Sequence, residues 1–329
     1  MPNSDICFLA TSKSGLGHLR RSATIARRLR TLDPARKLHL ISNAPPQGLT
    51  GADLDAFASI QVADRAAMSA AVAATGAAVM VVDTMTVPDL ELLGHPMALV
   101  LRETPNAQLP RFALTEGRPW DLIVVANPVD HWMPDPTLLN AQSRVASGWI
   151  YRSTGQRRGI GGPVPRVLVA TGGGGPAATA RTVYAQIDVL LARLRRAVPA
   201  FDVTQAIGAR ARGFGQLAEA DDIVDPGAVL NDLFREADIV ISTAGYNSVL
   251  ELAMTDTPTL LVPIPRSIDD QTARARTWAQ KLGMWLDAAA PARAADWLAQ
   301  EITLRRRRPP VDLGPSGEDK AARAILALG

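Results

Sequence analysis

The chain comprises 329 residues, a length that is enough for two medium-sized domains. Of these residues 47% are hydrophobic and 5% aromatic, which fits a globular α/β protein. A formal net charge of +3 is too small for the strong single-sign field of a nucleic-acid-binding protein. No apolar run is long enough to span a membrane, the first residues lack a signal-peptide pattern, and the single Cys7 excludes an internal disulfide, so we expect a cytoplasmic protein.

Arginines are concentrated in two segments, residues 20–30 and residues 305–308. We expect both segments to be solvated surfaces, since short charge runs usually face water. The alternative is a weak peripheral contact with anionic lipid at the inner face of a membrane. No aromatic residues are interleaved with these arginines, so a base-stacking surface for nucleic acid is not predicted.

The first half of the chain begins as a doubly wound α/β sheet. The pattern predicts a strand at residues 5–11, a glycine-rich turn at 12–18, a helix at 19–32 and a second strand at 38–42. A helical segment at 65–74 is followed by predicted strands at residues 78–82, 97–101, 122–125 and 148–152. We expect these strands to be parallel, with ligands at their carboxyl edge.

The glycine-rich turn does not fit the two common phosphate-binding motifs. Gly15 and Gly17 are followed by no third glycine, and Ser42-Asn43 stands where a dinucleotide site needs an acidic residue. No Gly-Lys-Ser/Thr follows, which excludes a P-loop. The remaining pattern, Gly-x-Gly-His-x-x-Arg, places His18 on the first turn of a helix at the carboxyl end of a strand.

His18 is therefore the predicted general base. The partial positive charge of a helix N-terminus disfavours an imidazolium, and a neutral ring can accept a proton from a hydroxyl group or from water. The alternative is a histidine that merely packs the turn. Asp83, Glu103 and Asn127 follow the ends of three predicted strands, and a carboxylate there could orient His18. Asp83 and Glu103 are equal candidates, and either could simply cap a helix.

The second half repeats the strand–loop–helix pattern after a glycine- and proline-rich linker at residues 157–165. We predict an N-terminal domain of residues 1–156, completed by a terminal helix at 316–329, and a C-terminal domain of residues 166–315. A strand at 166–170 leads into Thr171, Gly172, Gly173 and Gly174, and then into a long helix. Four consecutive glycines in this setting indicate backbone closely apposed to phosphate, with a flexible connector as the alternative.

Residues 237–271 form the most informative segment, a predicted strand–turn–helix–strand unit followed by a new helix. Gly245 has no Cβ, so a phosphate can approach the backbone at the start of the helix. Glu251, less than two turns later, could accept hydrogen bonds from a ribose diol. Asp270 and Gln271 open the next helix and could bind sugar hydroxyls. The alternative is a helix with one solvated glutamate and a capping aspartate pair.

This spacing of Gly245, Glu251 and Gln271 resembles the donor-binding half of GT-B glycosyltransferases, and in particular the family 28 C-terminal domain. The resemblance implies that Glu251 holds the ribose, that Gln271 contacts the donor sugar and that the turn at Gly227 faces uracil. Arg274 stands where that family often has asparagine. The N-terminal Gly15-Leu-Gly17-His18 loop is similar to the loop of the nucleotide-sugar hydrolase of pseudaminic acid biosynthesis, where the matching histidine is catalytic, and of predicted bacterial glycosyltransferases.

The resemblance implies two Rossmann-like domains facing a central cleft, with a C-terminal helix that crosses back to the first domain. It implies an inverting glycosyltransferase that takes its sugar from a nucleotide-diphosphate sugar, with a uridine base, and passes it to a hydroxyl acceptor. We expect no cofactor and no metal, since no clustered Asp-x-Asp or His/Cys set is present. The full set of predicted donor-binding residues is Gly17, Thr171, Gly172, Gly173, Gly174, Gly227, Thr243, Gly245, Asn247, Ser248, Glu251, Asp270 and Gln271.

Two alternatives use the same residues. In a nucleotide-sugar hydrolase, His18 would activate water in place of an acceptor hydroxyl. In a non-catalytic sugar-nucleotide-binding subunit, His18 would be dispensable while Glu251 would still be needed for binding. A nicotinamide oxidoreductase ranks below both because the third glycine and the acidic residue are missing.

Overall fold

The computed structural model describes residues 5–11, 16–152, 162–172, 177–198, 200–208, 213, 215–266 and 268–329. The chain divides into two compact units, Met1–Arg152 with Gly314–Gly329, and Ser153–Leu313. We expected the boundary near residues 156–166. Of the predicted linker at 157–165, residues 157–161 lie outside the described residues, and residues 162–165 lead directly into the first strand of the second unit.

The first unit is built on a parallel sheet, seven-stranded over its described residues. The strands are β1 (Ile6–Ala10), β2 (Leu38–Ser42), β3 (Ser59–Val62), β4 (Val79–Asp83), β5 (Met97–Leu101), β6 (Trp120–Val125) and β7 (Ala141–Ala146). Their order is β3-β2-β1-β4-β5-β6-β7, and every neighbouring pair is parallel. The helices between them include α1 (Gly17–Leu32), α2 (Gly51–Leu54) and α3 (Met68–Thr75). The strands added first extend the sheet to one side of β1, and those from β4 onward extend it to the other side. The switch point between β1 and β4 is the usual position of a ligand site in such sheets.

The prediction of a strand at residues 148–152 is wrong, and the last strand of the first unit is β7. Residues in β7 are half-buried or exposed, and those in the other edge strand, β3, are mostly exposed, so neither strand has the apolar run of a central strand. Residues 148–152 do contain buried apolar side chains, Trp149 and Ile150, but Gly148 adopts a positive φ of 90° and the segment forms no ladder. The apolar side chains of this segment are buried without strand pairing, and such a run has the same sequence pattern as a buried strand.

The second unit repeats the same architecture, with six parallel strands where the structure describes it. These strands are β8 (Arg166–Ala170), β9 (Asp202–Ala206), β10 (Asp222–Val224), β11 (Ile239–Thr243), β12 (Thr259–Val262) and β13 (Gly283–Trp285). Their order is β10-β9-β8-β11-β12-β13, so the switch point, where the strand order reverses, lies between β8 and β11. The helices are α4 (Ala177–Ala197), α5 (Leu230–Glu236), α6 (Tyr246–Ala253), α7 (Gln271–Leu282) and α8 (Pro291–Leu304).

The terminal helix α9 (Glu318–Leu326) belongs to the first unit and packs on α1. Arg28 Nε donates to Asp319 Oδ1 at 2.6 Å, and Gly317 N donates to Trp149 O at 2.8 Å. A Cβ at Gly317 would lie 2.6 Å from Ser147 O, so only glycine allows this close approach. The two ends of the first unit are thereby joined.

Candidate active site

His18 lies at the switch point of the first sheet. It is the second residue of α1, which follows β1, and Asp83 is the last residue of β4, paired with Ala10 across the ladder. The Nδ1 atom of His18 is 2.6 Å from Asp83 Oδ1. The side chain of His18 is 26% exposed, whereas that of Asp83 is 1% exposed. The ring is therefore held from inside the protein and keeps an open side.

Asp83 is held as a carboxylate by Arg21, three residues after His18 on the same face of α1. Arg21 Nε donates to Asp83 Oδ2 at 2.9 Å, and its Nη2 contacts Asp83 Oδ1, which makes a bidentate ion pair. Burial by itself raises the pKa of Asp83, but the charge of Arg21 and the hydrogen bonds from His18 and Arg21 outweigh it and hold this pKa well below its usual range. Because an ionised carboxylate only accepts hydrogen bonds, the Nδ1 atom of His18 carries the proton and Nε2 is left as the base.

Thr84 completes this cluster. Its φ is +50°, a left-handed conformation that is uncommon for a β-branched residue and costs about 1–3 kcal/mol. Its Oγ1 accepts from Arg21 at 2.8 Å and donates to Val100 O at 3.1 Å, and its N–H donates to the same carbonyl at 2.9 Å. These bonds fix the backbone directly after Asp83 and tie Arg21, which pairs with the Asp83 carboxylate, to the same segment.

Glu103, the other candidate partner of His18, is placed elsewhere. Its carboxylate accepts from Asn127 Nδ2 at 2.9 Å, and its N–H donates to Asn127 Oδ1 at 2.9 Å. Within the described chain, the side chain to which His18 donates is Asp83, while Arg21 Nη2 lies 3.4 Å from the same Nδ1 atom without bonding to it. Asp83 is therefore the carboxylate that geometry assigns to the histidine, and Glu103 and Asn127 form a separate polar pair at the carboxyl ends of β5 and β6.

The switch point of the second sheet carries the predicted phosphate loops. Thr171 and Gly172 follow β8, and Gly172 has a φ of +62°. Gly173 and Gly174 lie outside the described residues. Thr243 ends β11, and its hydroxyl donates to Thr171 O at 3.4 Å, which joins the two loops. Two strand ends and one helix start are thus brought together, as phosphate binding at a switch point requires.

Gly245 is the N-cap of α6, and no side chain caps this helix start. A Cβ built on Gly245 would meet only Ser248 Oγ at 3.5 Å and Thr243 Oγ1 at 4.0 Å, both ordinary contacts, and φ is −66°. The protein itself therefore does not require glycine here. Asn247 and Ser248 lie on the first turn of α6, and Glu251 lies further along it, 3% exposed.

Gly227 lies in a turn beyond β10, with a φ of +46°, and its N–H donates to Asp225 Oδ1 at 3.1 Å. A cavity of about 300 Å³ opens beside this turn. Its described lining residues are Ile207, Gln216, Ile223, Val224 and Asp225. Three of these five residues are apolar, and most of them lie at the carboxyl ends of β9 and β10, the edge at which parallel sheets bind ligands.

The start of α7 uses its predicted sugar-binding residues for its own structure. Asp270 Oδ1 accepts from Ala273 N at 2.9 Å, as a helix cap. Gln271 is 4% exposed, and its Oε1 accepts from Ile264 N at 3.1 Å. Neither observation tests contact with a donor sugar, which stays a prediction for both residues.

The arginine-rich segments are not solvated surfaces throughout, which corrects our expectation. Arg20 and Arg21 are buried. Arg307 pairs with Asp238 at 2.9 Å and Arg306 with Glu301 at 2.5 Å. Arg308 donates to the carbonyls at the end of α6, and burial lowers its pKa to about 10 while Asp256 partly offsets that effect. These side chains bind the protein itself, so they give no support to a lipid contact.

Sequence reasoning missed Arg21 and Thr84. The spacing of three residues between His18 and Arg21 was the one available signal, because it puts both side chains on one helix face. Among the residues that the structure describes, no cluster of three or more His, Cys, Asp or Glu side chains has the form of a metal site. No helix in the described part of the chain has the length and apolar character needed to cross a membrane.

The second unit is similar in sequence to known proteins, and both units are similar to them in fold. Residues 223–309 match the family described as "Glycosyltransferase family 28 C-terminal domain". A UDP-N-acetylglucosamine--N-acetylmuramyl-(pentapeptide) pyrophosphoryl-undecaprenol N-acetylglucosamine transferase of Bordetella pertussis is 33% identical over 147 residues, 44% of this chain and 40% of that protein. The chain thus matches less than half the length of this relative.

Two of the solved structures that match nearly the whole chain illustrate the fold. The crystal structure of Acinetobacter baumannii MurG has a TM-score of 0.53 at 14% identity and covers 98% of each chain. A putative UDP-N-acetylglucosamine 2-epimerase from Listeria monocytogenes has a TM-score of 0.58 at 11% identity, over 99% of this chain and 96% of the other. At these identities the matches show the fold alone. They confirm the predicted GT-B fold of two Rossmann-like domains, and the matched segment confirms the predicted resemblance of the second domain to family 28.

Proposed function

We propose that the chain is an inverting, metal-independent glycosyltransferase that moves a sugar from a UDP-linked donor to a hydroxyl acceptor. The observation that carries the proposal is the hydrogen bond from His18 Nδ1 to the buried, ionised Asp83, which leaves Nε2 as an acceptor on a ring that is 26% exposed. The name of the Bordetella relative, a UDP-N-acetylglucosamine transferase, supports the choice of donor.

In the proposed reaction, His18 Nε2 takes the proton of the acceptor hydroxyl as its oxygen bonds to the anomeric carbon. The bond between that carbon and the diphosphate oxygen breaks, and UDP leaves with the electron pair. Attack opposite the leaving group inverts the anomeric configuration. Asp83 stabilises the imidazolium formed, as the carboxylate of a catalytic dyad does.

The second unit is proposed to hold the donor. The Thr171–Gly172 loop and the start of α6 at Gly245 would surround the diphosphate, and aligned backbone amides with a helix dipole would stabilise the charge that develops on it. That replaces the metal ion that other transferases use. Glu251 is proposed to bind the ribose, and the turn at Gly227 with its adjoining cavity to hold the uracil.

A thermal-shift panel of nucleotide sugars tests donor binding first. A donor at about a hundred times its Kd adds about 2.7 kcal/mol of stability, and UDP-N-acetylglucosamine is the expected best ligand. UDP release is then measured with and without candidate hydroxyl acceptors, in buffer containing EDTA. The proposal predicts acceptor-dependent release, resistance to EDTA and a product of inverted configuration by NMR.

The alternatives are distinguished by the same experiment. Rapid release of free sugar without an acceptor would assign the chain as a nucleotide-sugar hydrolase. The chain would be a non-catalytic binding subunit if two results were found together. Glu251→Ala would abolish donor binding, and His18→Ala would keep full biological activity. An absence of any thermal shift with every nucleotide sugar would reject all three functions.

A further inference from the structure

Arg274 is a buried cation at the start of α7 with partners in two different loops. It is 5% exposed, although arginine is rarely buried without a specific partner. Its Nη1 donates to Ala244 O at 2.9 Å, in the turn between β11 and α6. Its Nη2 lies 2.6 Å from Asp269 Oδ1, in the loop after β12. The side chain thus joins the two loops on the carboxyl side of β11 and β12.

Asp269 extends this contact into a continuous buried polar chain. Its Oδ2 accepts from Gln271 Nε2 at 3.4 Å, and Gln271 Oε1 accepts from Ile264 N at 3.1 Å. Asp269 is 8% exposed and Gln271 4% exposed. A buried chain of this kind holds its members in one arrangement because each lost partner leaves a desolvated group unsatisfied.

The bond to Ala244 O has a directional consequence for Gly245. No peptide bond in the described chain is cis. The C=O of Ala244 and the N–H of Gly245 belong to one planar trans unit, so they point in opposite directions. While Arg274 holds the carbonyl, the Gly245 N–H is aimed away from α7. Within the described residues this N–H has no hydrogen-bond partner, and a Cβ built on Gly245 would meet only ordinary contacts.

We propose that Arg274, held by Asp269, is a positioning residue that aims the Gly245 amide at the diphosphate of the ligand and so sets the preference for diphosphates over nucleosides. This inference rests on the proposed function, since it takes the start of α6 as the phosphate site. The effect is orientation and not added charge, because Asp269 neutralises Arg274. Removing the side chain frees the Ala244–Gly245 peptide to rotate.

The test compares UDP with uridine as ligands, by calorimetry for UDP and by competition at millimolar concentration for uridine. Arg274→Met alone leaves Asp269 buried without its cation and is expected to lower stability. The informative protein is therefore the double variant Asp269→Asn with Arg274→Met, which removes both charges. Arg276→Met is the matched control, because Arg276 lies on the same helix, is exposed, and stacks on Trp285 with its Cζ atom 5.0 Å from the ring centroid.

For the double variant we expect an unfolding temperature near that of the wild type, a Kd for UDP raised about tenfold, and a Kd for uridine changed less than about twofold, because one hydrogen bond to a charged group is misdirected. The control should bind both ligands as the wild type does. Equal losses for UDP and uridine, or unchanged UDP binding, would overturn the inference and leave the proposed function standing. A wild type that binds neither ligand would overturn both.

Discussion

The substitution Asp83→Asn tests the assignment of the His18 partner most directly. The amide cannot accept at both of its terminal atoms, so it cannot satisfy His18 Nδ1 and both prongs of Arg21 together. His18 then loses its fixed tautomer. In a serine protease, the corresponding change reduces kcat about 10⁴-fold. Here we expect UDP release to fall about 10³- to 10⁴-fold, which corresponds to roughly 4–5.5 kcal/mol in the activation barrier.

The same substitution lowers stability, and this effect can be separated from catalysis. The side chain of Arg21 is 2% exposed, and removal of one member of a buried ion pair costs about 3–5 kcal/mol. The double variant Arg21→Met with Asp83→Asn removes the uncompensated cation. We therefore expect its urea midpoint to recover at least half of the loss while its UDP release stays as low as in Asp83→Asn.

The pH dependence of stability follows from the same ion pair. Because the pKa of Asp83 is lowered in the folded state, its contribution to stability is complete above the ordinary carboxyl range, about pH 4, and is lost as the pH falls below it. The wild type and Asp83→Asn should therefore differ in urea midpoint at pH 7, and the difference should shrink below about pH 4.

The matched control is Glu103→Gln, since the sequence alone makes Glu103 a candidate equal to Asp83. Its partner is Asn127 at 2.9 Å, so we expect less than a tenfold effect on UDP release. The assay is initial-rate UDP release with the nucleotide sugar that gives the largest thermal shift. A large loss in Glu103→Gln together with near-normal activity in Asp83→Asn, or restored activity in the double variant, would refute the His18–Asp83 assignment.

Three further predictions concern other parts of the chain. Glu251→Gln should weaken UDP binding about 10- to 100-fold by calorimetry, because it loses a charge-assisted hydrogen bond. The control is the exposed Glu236, whose substitution Glu236→Gln should leave the Kd for UDP unchanged. A Glu251→Gln variant with the Kd of the wild type would exclude Glu251 from the ribose site. Gly245→Ala should leave the unfolding temperature unchanged or slightly raised, because the added Cβ meets only contacts of 3.5 Å or more, yet it should weaken UDP binding. The control is Gly51→Ala, at an exposed position. Unchanged UDP affinity in Gly245→Ala would place the phosphates elsewhere. Burial raises the pKa of Cys7 to about 12, so a disulfide reagent at pH 8 should label no thiol in the native protein and one per chain in guanidinium chloride; rapid native labelling would contradict the buried β1.

The sequence alone determined the class of fold and the location of the histidine. Central strands such as β1 and β11 are buried on both faces, and they are therefore continuous apolar runs that can be read directly. The edge strands β3 and β7 escaped detection because their side chains are largely half-buried or exposed. Local spacing also placed His18, Gly245 and Gln271 at the starts of helices, since the order strand–turn–helix is a property of neighbouring residues.

Only the tertiary structure decided which side chains meet. Asp83 and Glu103 both follow strands, and Asp83 is the partner of His18 because β4, not β5, lies next to β1, and strand order is not encoded in local periodicity. Arg21 and Arg308 looked like members of charged surface runs, and their burial depends on carboxylates and carbonyls that lie more than 50 residues away in the chain. Long-range pairing of this kind is fixed by how the sheets pack, so the sequence provided the chemical groups and the fold selected the pairs.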